Sequence, residues 1–312
     1  MKTNRYSLGL ALGSGAARGL AHIGVLKALD AEGMRIDFIA GTSIGALIGA
    51  LYAAGITAAE IERVACGVDW RQLVRLVDPI LPTSGLIDGK KVARFISELL
   101  PVRTFEELKI PMALIATDVE TGEALTIRQG NLLEALRAAV AFPGIFTPVR
   151  FGKRFLVDGG LCNPIPADVV RTMGADVVIG VCAIPAMNRS RRETYLPLPS
   201  VEIPTSPPLR GRFTPKGVER LLRDLWPFNN TPEDRGERKP PGIFKVCAQS
   251  VAIMENQIND LRLEHNDIDV LIRPELGTLT LLEFNRAEEA IAAGEEATHR
   301  QMEKIRRLVG VD

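Results

Sequence analysis

The sequence predicts a layered α/β domain, and three observations carry that reading. Strand-like and helix-like stretches alternate through the first 183 of the 312 residues. The stretch from Asp176 to Val181 is a nearly unbroken apolar run, the pattern of a strand buried on both faces of a parallel sheet. With 46% hydrophobic residues the chain can fill a large core, and an α/β domain of this length can fold as one unit.

The elements follow in order. Tyr6 to Leu12 reads as a strand, and its apolar run is too short for a secretory leader. Leu20 to Glu32 reads as a helix, with Ile23, Leu26 and Leu29 at helical spacing and Gly33 as its C-terminal stop. Ile36 to Ala40 is a second strand and Ile44 to Ala54 a helix ended by Gly55. The uncharged stretch from Phe38 to Ile56 is therefore a strand, a turn and a helix rather than a membrane span. Thr57 to Glu60 forms a capping-box pattern that opens another helix. Met112 to Thr117, Ala124 to Arg128 and Arg154 to Val157 read as extended, and Leu132 to Val140 as helical. Ile243 to Leu263 reads as one long helix and Ile268 to Ile272 as a strand. Phe284 to Leu308 is a last helix, with a break expected near Gly294.

Residues 184–241 differ from the rest. Eleven of the twenty prolines fall there, with eleven Lys/Arg against seven Asp/Glu. This composition predicts a flexible insertion within a single domain spanning 1–312. Inside it Val218, Leu221, Leu222, Leu225 and Trp226 mark one face of an amphipathic helix ended by Pro227. That helix either caps the core or serves as a lid or a peripheral membrane contact.

Composition excludes some functions. The net charge is zero and mean hydropathy is +0.10, so nothing marks a nucleic-acid binder. Cys66, Cys162, Cys182 and Cys247 are scattered, as are His22, His265 and His299, which argues against a metal site. The cysteines are expected to be buried structural thiols of a reducing, cytoplasmic compartment, with any membrane contact at the inner face.

Three motifs carry chemistry. Gly41-Thr42-Ser43-Ile44-Gly45 fits G-x-S-x-G between a strand and a helix, where a sharp turn lifts a serine hydroxyl out of the sheet. A serine needs a base to become nucleophilic. None of the histidines stands in a catalytic context, which points to a carboxylate. Asp158 ends the apolar Phe155-Leu156-Val157 and precedes Gly159-Gly160, placing it at the carboxyl edge of a sheet. The loop Gly13-Ser14-Gly15-Ala16-Ala17-Arg18-Gly19 can present backbone N–H groups to an oxyanion at a helix start. A dinucleotide fingerprint is the rival for this loop. It requires glycine where Arg18 stands, with Asp37 or Glu32 as a loose ribose ligand.

Together these segments resemble the patatin-like phospholipases, in particular the bacterial branch similar to the neuropathy target esterase catalytic domain. The resemblance runs from about residue 6 to 183. It rests on Leu12 to Leu26, Gly41 to Gly45, Phe142-Pro143-Gly144-Ile145-Phe146 and Val157-Asp158-Gly159-Gly160-Leu161. It implies a three-layer α/β/α fold with a mainly parallel sheet and a Ser43–Asp158 dyad without histidine. It also implies an oxyanion hole in the loop 13–19, substrates among phospholipids, lysophospholipids and simpler acyl esters, and no metal or organic cofactor. The family loop usually runs Gly-Gly-Gly-Gly-Ala-Arg-Gly, and here Ser14 and Ala16 replace two of its glycines. A positive φ at either costs about 1 kcal/mol. The alternative function is a catalytically silent lipid-binding or adaptor protein on the same fold.

Overall fold

A computed structural model describes residues 6–68, 75–76, 78, 85–184, 243–263 and 268–311. The insertion with its amphipathic face at Val218 to Trp226, and His265, lie outside the described residues. The strands are β1 (Leu8–Leu12), β2 (Phe38–Thr42), β3 (Met112–Asp118), β4 (Ala124–Ile127), β5 (Val149–Phe151), β6 (Arg154–Asp158), β7 (Val177–Val181) and β8 (Val270–Ile272). The helices are α1 (Ala21–Ala31), α2 (Ile44–Ala53), α3 (Ala58–Gly67), α4 (Lys90–Leu99), α5 (Leu132–Ala139), α6 (Ala167–Thr172), α7 (Ile243–Leu263), α8 (Ala287–His299) and α9 (Met302–Val309).

One sheet runs β5-β6-β3-β2-β1-β7-β8, with β4 also paired to β3. The pairs from β3 through β2, β1 and β7 to β8 are parallel. β4, β5 and β6 add antiparallel pairs. β1 is central and all five of its residues are buried, which explains its lack of polar alternation.

The two faces of the sheet differ in residue size. Leu8, Leu10, Leu12, Ile39, Met112 and Leu114 enter the larger core, which holds the buried sides of α1, α2 and α8. Ala11, Ala40 and Ala113 enter a smaller core with Val170 of α6. The small residues let α6 approach closely: a methyl group at Gly9 would collide with Val170.

α1 and α8 pack with the closest backbone approach. A methyl group at Gly24 would collide with Ile291 O, and one at Gly294 with Ala21 O. The break expected near Gly294 is therefore not there. α8 runs through that glycine to His299, and the chain breaks at Arg300–Gln301 before α9. Gly294 serves close packing rather than helix termination. The Thr57–Glu60 capping box forms as read, Gly33 and Gly55 take positive φ after their helices, and the stretch from Phe38 becomes β2, a turn and α2. Among the described residues no helix is long and apolar enough to cross a membrane.

Candidate active site

The serine turn is forced by close packing. β2 ends at Thr42, α2 begins at Ile44, and Ser43 between them holds φ 55° and ψ −123°. That conformation disfavours an L-residue by about 1–3 kcal/mol and persists only where the surroundings dictate it. Here they do. A methyl at Gly41 would lie 2.6 Å from Ala46 Cα, and one at Gly45 2.6 Å from Gly13 O. Both glycines of the motif are thus required by neighbouring backbone. Thr42 Oγ1 donates to Asn163 O at 2.8 Å and anchors the strand end, while Ser43 stays half-buried.

Asp158 arrives on an antiparallel strand. The register pairs Thr42 with Ile115 across β2–β3 and Ala116 with Asp158 across β3–β6. Asp158 therefore sits one residue beyond the level of Thr42, the level of Ser43. It reaches the carboxyl edge of the parallel strands although its own strand runs the other way.

The two side chains meet across 115 residues of chain: Ser43 Oγ donates to Asp158 Oδ2 at 2.5 Å. Gly160 N donates to the other oxygen, Oδ1, at 2.8 Å, and Asp158 N donates to Ala141 O at 3.0 Å. Asp158 is buried. Loss of water around its charge pushes the carboxyl up to about 6, against the downward pull of the Ser43 and Gly160 hydrogen bonds.

The glycine loop lies against this pair through Gly45. Gly13 N donates to Val181 O at 3.1 Å, Ser14 N to Pro164 O at 2.9 Å, Ala17 N to Leu281 O at 3.0 Å and Arg18 N to Gly15 O at 3.1 Å. The amides of Gly15 and Ala16 have no hydrogen bond among the described residues. Of the two positions that depart from glycine, Ala16 takes the positive φ, at 49°, and Ser14 does not. Arg18 Nε donates to Leu279 O at 2.7 Å, so this side chain pins the loop from the far side.

His22 braces the loop from below. Its Nε2–H donates to Gly13 O at 2.8 Å. Complete burial lowers its pKa to about 4, so the ring is neutral at pH 7. His299 is exposed on α8. Cys182 is buried, Cys162 half-buried and Cys66 exposed, so the expectation of buried thiols fails for Cys66, at the solvent face near the end of α3.

Glu255 of α7 was not singled out by the sequence. It is buried over Gly160, where a methyl group would collide with its Oε1 and lie 3.3 Å from Asp158 Oδ1. The signal was an inverted helix face. Glu255, Asn256 and Asn259 point inward, while Ile253, Met254 and Leu261 are exposed. At the opposite end of the sheet, Asp30, Tyr52 and Lys109 help line a cavity of about 570 Å³, remote from Ser43.

A serine on a strand–helix elbow, facing a buried carboxylate beside a glycine loop, marks an α/β protein whose polar site lies at the carboxyl edge of its parallel strands. Residues 10–171 match the model of the patatin-like phospholipases, and the chain belongs to that family. It adopts the patatin fold, and the match supports lipid acyl hydrolase activity at that general level.

An uncharacterized NTE family protein of Mycobacterium tuberculosis is 31% identical, over 91% of this chain and 88% of that protein. Human patatin-like phospholipase domain-containing protein 6 is 35% identical over 56% of this chain, a region that makes up 13% of the human protein. VipD from Legionella pneumophila, a solved structure, superposes over 96% of this chain and 67% of that one, with TM-score 0.48 and 13% identity.

Proposed function

We propose that the protein hydrolyses carboxylic esters of lipids, with Ser43 as nucleophile and Asp158 as the base that serves it. The observation that carries this reading is the 2.5 Å hydrogen bond from Ser43 Oγ to Asp158 Oδ2, at a strained elbow. Asp158 takes the hydroxyl proton as Ser43 Oγ bonds to the acyl carbon. Its raised basicity favours that transfer, while a pKa near 6 leaves it ionised at pH 7.

The carbonyl oxygen gathers negative charge, which the free amides of Gly15 and Ala16 are suited to hold. The ester C–O bond then breaks, and Asp158 returns its proton to the leaving alkoxide. In the second half Asp158 deprotonates water, which attacks the acyl-serine; the bond to Ser43 Oγ breaks, Asp158 returns the proton to that oxygen, and a fatty acid leaves. No metal or organic group enters these steps.

The test is turnover of lysophospholipids, phospholipids and short p-nitrophenyl esters beside fluorophosphonate labelling. The native protein is expected to be labelled at Ser43 and active. Ser43→Ala and Asp158→Asn are each expected to lose at least a thousandfold in kcat/KM. Substantial turnover by purified, folded Ser43→Ala overturns the reading. Absence of labelling in folded native protein favours a silent lipid-binding or adaptor role.

A further inference from the structure

Asp158 does not stand alone. Glu255 reaches it from α7, the helix that follows the insertion, and Gly160 is the point where the two carboxyls converge. Any side chain at Gly160 would strike Glu255, so the glycine admits that carboxyl. Ser14, the first departure from glycine in the loop, supplies the third group. Its hydroxyl is buried, makes no hydrogen bond of ordinary geometry, and lies close enough to Glu255 to act on its ionisation. Three polar groups from three distant segments thus face one another behind the serine.

We propose that Glu255 is a positioning residue: the proton-bearing partner of Asp158, which leaves Asp158 as the one ionised carboxylate of the site. This deepens the ester-hydrolase reading and rests on it. Two carboxyls in one buried site cannot both ionise cheaply, so the pair carries one proton over a wide pH range.

Among the described residues, the titratable group that faces Glu255 is Asp158, on β6. Within one turn of α7, Val251, Ala252, Ile258 and Asn259 carry no charge, and the glycine loop offers the Ser14 hydroxyl. Burial first, and the Asp158 charge second, push Glu255 up to about 8, so it holds the proton at pH 7. A neutral Glu255 spares the developing oxyanion a second negative charge. Once Glu255 ionises, the site holds two, and acyl transfer slows.

The experiment compares native protein with Glu255→Gln, an uncharged side chain of the same shape, over pH 5 to 9.5. Turnover is corrected with Ser43→Ala and each profile is normalised to its own maximum. The native kcat/KM is expected to fall about tenfold by pH 9, one unit above the Glu255 pKa. The variant is expected to lose that alkaline fall. An identical alkaline limb in the variant overturns the proposal, as does a folded variant without turnover at any pH.

A second readout needs no activity. Glu255 is raised in the fold, so its contribution to stability is full below pH 4.5 and is lost as pH rises to about 8. Relative to Glu255→Gln, the native unfolding constant should grow about tenfold per pH unit between 5 and 8. Equal pH slopes overturn the proton assignment. The expected slope in a protein without turnover or labelling keeps the carboxyl pair and sinks the hydrolase reading instead.

Discussion

Asp158→Asn should abolish turnover and make the protein more stable. The carboxyl moves from 3.8 in the unfolded chain to about 6 in the fold, because burial strips water from its charge. Holding that charge at pH 7 costs about 3 kcal/mol, at roughly 1.4 kcal/mol per unit. Asparagine keeps the shape, its Oδ1 can still accept from Gly160 N–H, and its amide can donate to Ser43 Oγ. What disappears is the buried charge. Glu255 also benefits, because the charge that raises its pKa is gone.

The pH dependence separates this cause from ordinary repacking. A carboxyl raised in the fold stabilises it fully below the unfolded pKa and loses that contribution as pH climbs through the folded one. The advantage of Asp158→Asn should therefore be near zero at pH 3.5 and approach about 3 kcal/mol at pH 7. His22, whose pKa is lowered in the fold, gives the opposite slope, but it is present in both proteins and cancels. Denaturant unfolding of the two proteins at a series of pH values measures the difference directly. A variant less stable than its parent at pH 7, or a difference that stays constant with pH, would refute the reasoning.

Two further outcomes follow from the same geometry. On the acid side, kcat/KM should fall about tenfold per unit below pH 6, as Asp158 binds the proton it must be free to accept; a profile flat to pH 4.5 would contradict Asp158 as base. Gly45→Ala should cost about 3 kcal/mol and most of the activity, because its methyl meets Gly13 O of the loop at 2.6 Å and neither backbone can yield without moving Ser43; paired unfolding and turnover measurements would expose a harmless substitution.

How much of this was written in the chain depends on how local each feature is. The Ser43 elbow was legible because its requirements, two small flanking residues between an apolar strand and an apolar helix, all lie within a few positions. The strand boundaries of β1, β2 and β3 followed from apolar runs to within two residues. The direction of β6 was not legible, since a five-residue apolar strand looks the same in either orientation. In sequence a glycine inside a helix first suggests a break, yet the role of Gly294 depends on Ala21, far away in the chain. α4 and α6 went unread, the latter a six-residue helix too short for a periodic signal. Glu255 follows the apolar run Val251 to Met254 and precedes Asn256 and Gln257, so nothing beside it in the chain marks it. Its inward direction is a property of α7 packed over Gly160, not of the residues beside it.

In the proposed mechanism one physical cause decides which side chain serves as base. His22 is buried under the glycine loop and Asp158 beside the serine, and desolvation penalises the charged form of each. For an imidazole the charged form is the protonated one, so burial lowers its pKa to about 4 and removes it from useful proton exchange at pH 7. For a carboxylate the charged form is the deprotonated one, so burial lifts it to about 6, into the range an exposed imidazole would occupy. His22 is left to brace Gly13 O, and in the proposed mechanism Asp158 takes the place a histidine fills in a conventional triad. A dyad without histidine is thus what a dry site of this composition favours: the environment that disables the imidazole strengthens the carboxylate.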